Sequence, residues 1–348
     1  MMPQVPSNKR RDSNMELLRI TAMLLVMIVH ANFRALPVPT LQETISTPIS
    51  SLSRFFTESL SIVCVDVFIL LSGWYGIKFR WKRLAEFAFQ ILFFVFLITV
   101  IFFIVKHERI DIFNFFLGGK WDYWFIKAYI GLYIFSPLLN TFAKNSSKKE
   151  YETFLILFFS LQITYGWLTQ GAAWFNRGYS AISFIGLYLL SRYIKLHHIS
   201  YIQKLNKITL LFLYFFITII QTGFAFFSIK YNHLYLYSII YLYTSPIIIF
   251  QSLCLLLFFS KLNINSIFIN WIASSCFAIY LLHSNSLIAK PYYDGIILKW
   301  FNEESTRTFI LYSGCFITFV FVLSILFDKI RIVFWNVLSK KLSILNKV

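Results

Sequence analysis

The sequence predicts an all-α integral membrane protein: a single bundle of about ten transmembrane helices with both termini in the cytoplasm. Three observations carry this prediction. Of 348 residues, 58% are apolar and only 14% charged, against roughly 25% charged in a soluble domain. Apolar runs of about 20 residues, the length that crosses a bilayer as helix, recur along the whole chain. With the N-terminus inside, about twice as many Lys and Arg fall in inner segments as in outer ones. The net charge of +17 would suggest nucleic acid in a soluble protein. Set between apolar runs, it is explained by bilayer orientation and anionic headgroups, so no nucleic-acid partner is expected.

The predicted spans are 15–33, 58–77, 84–105, 123–142, 152–170, 178–195, 207–228, 238–259, 267–289 and 308–328. Residues 1–14, polar and basic, form a cytoplasmic tail. The apolar run after them contains Arg19 and no small-residue cleavage site, so it is a retained first helix and not a signal peptide. Residues 15–336 form one transmembrane domain, and 337–348 a second cytoplasmic tail. The stretch KIRIVFWNVLSKKL after the tenth span reads as a basic interfacial helix. Pro37, Pro39 and Pro48 keep the outer loop from Arg34 to Thr57 from being one continuous helix. Pro137 and Pro246 should kink the fourth and eighth spans. Cys64, Cys254, Cys276 and Cys315 all fall in apolar runs, without metal-ligand spacing, and read as small buried hydrophobes. No metal and no tightly bound cofactor is expected.

Chemistry enters through the few polar residues inside the spans, which are costly in hydrocarbon and therefore candidates for function. In the first span, MELLRITAMLLVMIVHANF, Arg19 and His30 are eleven residues apart. At about 100° per residue they share one helix face, about 16 Å apart along the axis. In the second, SLSIVCVDVFILLSGWYGIKFRWKR, Asp66 must find a partner, which could be His30 or Lys127, or be protonated. Paired with His30, it would orient the imidazole as a general base. Ser72 and Gly73 are small enough for a helix or ligand to approach. Lys82 and Arg83, within the basic run from Lys78, could hold phosphate beside a channel open to the cytoplasm. In the fourth span Lys127 lies beneath Trp121, Tyr123 and Trp124, an expected interface belt. In the ninth, Tyr280 and His283 lie on one side, with His283 at the depth of His30, which suggests one polar pocket.

Four of these stretches carry a resemblance. MELLRITAMLLVMIVH resembles the first-helix motif of the integral-membrane acyltransferase family 3, and VDVFILLSGW its second. WDYWFIKAYIGLYIFSPLLN and FAIYLLHSNSL are similar to its fourth- and ninth-helix signatures, and the four occur in family order. The resemblance implies a bundle of about ten helices that moves an acyl group, commonly acetyl from cytoplasmic acetyl-CoA, to an extracytoplasmic or lipid-linked glycan. It implies that Arg19 contacts the acyl-CoA and that His30 is the essential histidine. Many members carry a fused extracytoplasmic hydrolase-like domain, and none is expected here.

Together these readings give an acyl-CoA-dependent O-acetyltransferase of a bacterial surface polysaccharide or its lipid-linked precursor, multi-pass in the cytoplasmic membrane. His30 and Asp66 are its expected catalytic pair. Arg19, Lys82 and Arg83 are the expected acyl-CoA contacts, and Ser72, Lys127, Tyr280 and His283 should line the pocket. The partners expected are the bilayer, acyl-CoA and a glycan acceptor; oligomeric state is left open. Two other classes stay open. A glycolipid transporter would line its path with the same charges, but no internal repeat is present. A glycan polymerase would need clustered outer carboxylates, and Glu43, Asp111, Asp294, Glu303 and Glu304 are scattered.

Overall fold

A computed structural model describes residues 12–106 and 123–345, with side chains to Lys340. The basic tail over 1–11, the loop lysine Lys120 and Trp121 of the expected belt lie outside the described residues. Every described regular element is helical. Six stretches are long and apolar enough to cross a membrane: Ser13–Arg34, Pro48–Tyr75, Trp81–Lys106, Trp124–Asn145, Lys207–Lys230 and Thr306–Lys340. A seventh arises if Ile267–His283 and Ser286–Glu303, bent by 59° against each other, count as one.

The departures from ten uniform spans have local causes. Helix α1, Ser13–Val29, runs on as a π-helical turn, His30–Arg34. The loop after it folds into a short helix, α2 (Leu41–Ser46). Thr40 and Glu43 cap α2 reciprocally. The Thr40 backbone N–H and hydroxyl, with Arg54 nearby, hold the Glu43 carboxyl below its ordinary range. Pro48, expected to break helix, instead opens α3 (Pro48–Ser61) at a position where the missing N–H costs nothing. So the second span starts at 48 and not 58, and continues into α4 (Cys64–Tyr75). Gly76, at φ 72°, ends α4.

Helices α5 (Trp81–Lys106) and α6 (Trp124–Asn145) follow, with Pro137 inside the uninterrupted α6. The fifth expected span is split between α7 (Lys148–Leu161) and a π-helical turn, Gln162–Leu168. The sixth, α8 (Ala181–His197), has 17 residues. At about 1.5 Å per residue it is a little short of a 30 Å hydrocarbon core. After α9 (Lys207–Lys230), the eighth is broken into α10 (Leu234–Ile240) and α11 (Pro246–Ser260), because Pro246 starts a helix and does not kink one. The ninth bends between α12 (Ile267–Ala273), α13 (Cys276–His283) and α14 (Gly295–Glu303). The last, α15 (Thr306–Leu345), is one helix, so the expected interfacial segment continues the tenth span without a break.

Helix α1 lies at the centre, against α3, α4, α11, α12 and α13. Side chains tie it in at both ends. Asn14 Nδ2 donates to the Phe259 carbonyl at 3.0 Å, and the Tyr293 hydroxyl donates to the Met27 carbonyl at 2.9 Å. Helix α4 is clasped between α1 and α8. Its approach to α8 depends on Gly73, where a Cβ would stand 2.2 Å from the Tyr188 carbonyl oxygen. Ser191 Oγ donates to the Leu70 carbonyl at 2.5 Å across the same seam.

That seam generates a prediction. Gly73→Ala should lower the apparent Tm of detergent-purified protein, with a cost of about 1–3 kcal/mol as for other overpacked cores. Gly314→Ala, where nothing lies within 4 Å, should leave it unchanged or slightly raised, since alanine favours helix. Equal Tm values for the two variants would show that α4 and α8 can separate without penalty.

Candidate active site

One face of α1 carries Arg19, Met23, Val26 and His30, at intervals of four, three and four residues, which is the repeat of a single helix stripe. All four line a cavity of about 700 Å3. It is walled by Ser72, Phe87, Phe125, Tyr129 and Tyr280, and beyond His30 by Arg34, Glu58 and tyrosines 179, 237, 241 and 243. At the Arg19 end it adjoins a second cavity of about 300 Å3 lined by Lys78, Arg83 and Tyr133. Arg19, Leu71, Ser72, Phe87 and Tyr129 line both. The long axis of the site therefore runs along α1, with cations at one end and imidazole towards the other.

His30 does not stand alone. Its Nδ1 is 2.9 Å from Nε2 of the fully buried His283, which α13 brings in from far along the chain. His283 Nδ1 lies 2.5 Å from the Ile279 carbonyl oxygen. A carbonyl only accepts, so that nitrogen carries the proton and Nε2 is left as an acceptor facing His30. Arg34 Nη1 also reaches His30 Nδ1, at 2.7 Å. Its Nε and Nη2 donate to Asp294 Oδ1 at 3.1 and 2.8 Å. Ser284 Oγ sits 3.3 Å from His283 Nε2.

The expected site residues divide. His30, Arg19, Arg83, Ser72 and Tyr280 line the cavities, and His283 backs His30. Asp66 is not brought to His30. It is fully buried in α4 and does not itself line the cavity, though Val65 and Phe68 beside it do, and neither carboxylate oxygen has a hydrogen-bond partner among the described residues. The place expected for Asp66 beside the imidazole is taken by His283. Lys82 is exposed and lines neither cavity, whereas Lys78 does. Lys82 and Arg83 are neighbours in the first turn of α5, about 100° apart, and of the two it is Arg83 that lines a cavity. Lys127 is likewise exposed. Phe125 and Tyr129, one turn apart, hold the cavity face of α6, and Lys127 is about 200° round the helix from Phe125.

Sequence reasoning missed Arg34, Ser284, Asp294 and Glu58. Arg34 had a signal: it lies four residues after His30, the spacing of side chains that meet on a helix. Glu58 had none, because its partner Asn32, which donates to Oε2 at 3.0 Å, is on another helix.

A family model for an acyltransferase domain, that of acyltransferase family 3, matches residues 12–329. No curated protein and no solved structure matches. The matched region takes in the whole α1 stripe, the α4–α5 turn and both histidines. The chain, helical in every described regular element and with several apolar membrane-length helices, belongs to acyltransferase family 3.

Proposed function

We propose that the chain moves a short acyl group, acetyl first, from cytoplasmic acyl-CoA to a hydroxyl of a surface polysaccharide or its lipid-linked precursor. The site would lie in the cytoplasmic membrane of a bacterium. The observation that carries this reading is that the cavity with Lys78 and Arg83 and the cavity with His30 share Arg19 and four other lining residues. Both termini inside and ten crossings, the shorter helices included, would put the basic mouth at the cytoplasm, in keeping with the bias of Lys and Arg.

The chemistry follows from the shape. Arginine holds phosphate through paired N–H groups, so Arg19 and Arg83 suit the phosphates of CoA. Arg19 is paired with Glu16 one turn away, and a phosphate would compete for it. The neutral pantetheine arm then lies along the α1 stripe, whose length is of the order of that arm. His30 takes the proton of the acceptor hydroxyl as its oxygen attacks the thioester carbonyl carbon. The tetrahedral centre collapses, the C–S bond breaks, and the departing thiolate receives the proton from His30. His283 holds the ring, the task expected of Asp66. An apolar wall limits water and hydrolysis of the thioester.

The test uses membranes containing the protein, acetyl-CoA labelled in the acetyl group, and lipid-linked glycan from the native host. Wild type should build up base-labile label in the glycan, and His30→Ala should lose at least 10²-fold of that rate. Undiminished transfer by His30→Ala would sink the general base. A wild type that neither binds acetyl-CoA nor transfers label, and does no better with succinyl-CoA, would favour a transporter.

A second expectation separates the basic residues. Arg19→Ala should raise the KM for acyl-CoA by about 10-fold or more, in line with roughly 1.5–3 kcal/mol for a charge-assisted hydrogen bond. Arg83→Ala should act in the same direction, and Lys82→Ala should leave KM alone. An equal effect of Lys82→Ala and Arg83→Ala would place the phosphates outside the smaller cavity.

A further inference from the structure

We propose that Arg34 is a catalytic residue that also sets which nitrogen of His30 is free to act as base; this rests on the acyl-transfer reading above. Its guanidinium lines the same cavity as His30. The inference comes from a count of protons around one atom, His30 Nδ1. With the Ser284 hydroxyl more distant at 3.5 Å, its two near neighbours make opposite demands. Arg34 Nη1, 2.7 Å away, can only donate. His283 Nε2, 2.9 Å away, can only accept, because the Ile279 carbonyl keeps the His283 proton on Nδ1. His30 Nδ1 cannot satisfy both.

Two arrangements each give His30 Nδ1 one compatible partner. In the first, Arg34 donates to His30 Nδ1, the His30 proton is on Nε2, and the Ser284 hydroxyl, 3.3 Å from His283 Nε2, donates there. The base is then blocked, since Nε2 is already protonated. In the second, His30 Nδ1 carries the proton and donates it to His283, and Nε2 is a free lone pair. Arg34 Nη1 is then left with the Ser284 hydroxyl oxygen as acceptor, at a long 3.5 Å, and a closer acceptor would draw it away. The exchange moves one proton from Nε2 to Nδ1 through solvent and leaves the net charge unchanged.

A thioester carbonyl oxygen is the acceptor that the reaction supplies. When the acyl group arrives, Arg34 Nη1 turns to that oxygen, still held by Asp294 through Nε and Nη2. It leaves His30 in the second arrangement, with Nε2 ready to take the hydroxyl proton. As the acceptor oxygen bonds to the carbonyl carbon, the π pair moves onto the carbonyl oxygen. Arg34 donates to the charge that develops there, before the pair returns and expels the thiolate. An empty site thus holds its base in the unreactive tautomer, and the substrate itself releases it.

The experiment reads the tautomer and the kinetics separately. In protein labelled with 15N histidine and held in detergent, with the His30 signals assigned from His30→Gln, unliganded wild type should show the proton on Nε2. Arg34→Gln, and wild type with an unreactive acetonyl thioether of CoA, should show it on Nδ1. In the transfer assay Arg34→Gln should lose about 10²–10³-fold in kcat, as for loss of an oxyanion donor. Its KM for acyl-CoA should stay within about threefold, and methylguanidinium should restore part of the rate. Asp294→Asn should shift both readouts the same way by less, and serves if Arg34→Gln does not fold. A proton on Nδ1 in the empty wild type, or a tautomer indifferent to Arg34, would overturn the switch. A KM that rises as steeply as that of Arg19→Ala would overturn the catalytic role. If wild type transfers nothing from any acyl-CoA, the acyl-transfer reading fails, while the NMR spectra still decide the switch.

Discussion

Inside an apolar bundle a polar side chain has to be answered by another part of the same chain, and much of this structure is arranged around that constraint. The turn between α4 and α5 shows it in small. The Ile77 backbone N–H donates to the Tyr188 hydroxyl, Tyr188 donates to Asn140, and Asn140 donates back to the Ile77 carbonyl. Two helices, α6 and α8, close on the backbone of one residue, and the mouth beside Arg83 is held in shape. Gln251 does the same between α3 and α9, donating to the Ser59 carbonyl and the Thr218 hydroxyl. Asp328 in α15, fully buried, accepts from Arg331 and from Gln90 of the cavity wall. Against that pattern some buried atoms are left unanswered, both oxygens of Asp66 and both amide atoms of Gln221 among them, and no contact among the described residues accounts for them.

The histidine cluster is the same constraint at its most crowded. His30 begins a π-helical turn, in which the Ala35 N–H reaches back to the His30 carbonyl at 3.1 Å. Such turns widen a helix locally, and they recur at functional sites. Here the turn carries α1 on to Arg34, and a matching π-helical turn, Ala289–Asp294, supplies the carboxylate that anchors it. Two irregular turns thus face each other across His30. Regular helix at His30–Arg34 would have satisfied the backbone equally well, so that irregularity is better explained by what it positions; in Ala289–Asp294, Pro291 has no N–H to give a regular helix.

How much of this could be read from the sequence follows from the range of each interaction. The α1 stripe was legible because helix periodicity alone puts Arg19 and His30 on one face, and depth alone suggested that His283 shares their pocket. Helix ends were not. Whether Pro48 and Pro246 break a helix or start one depends on where the preceding turn closes, and hydropathy is blind to that. The same blindness cut α1 at 33 and left Arg34 in a loop. Partner choice was the least legible. Asp66 and His283 were both polar residues at plausible depth, and only the packing of α13 on α1 decides that the histidine is the neighbour.

The two ends of the cavity differ in charge, and on the proposed reading that difference assigns them. Lys78, Arg83 and Arg19 favour an anionic group at one end. At the other, Arg34 is paired with Asp294, and the Glu58 carboxyl, almost fully buried and held by Asn32, offers an anion nothing to bind. A donor whose charge is confined to its phosphates can then advance only its neutral arm beyond Arg19, which fixes its direction without any contact to the acyl group. The end beyond His30 is left to a different molecule. Tyr179, Trp124 and Tyr243 pack edge-on or stacked within 4.4–6.1 Å of one another, and Glu58 supplies an acceptor for hydroxyls beside them. Flat apolar faces with one oriented carboxylate suit a neutral polyol better than a phosphate. Donor and acceptor would thus meet at His30 from opposite sides, and the acyl group would cross the membrane's width without its carrier.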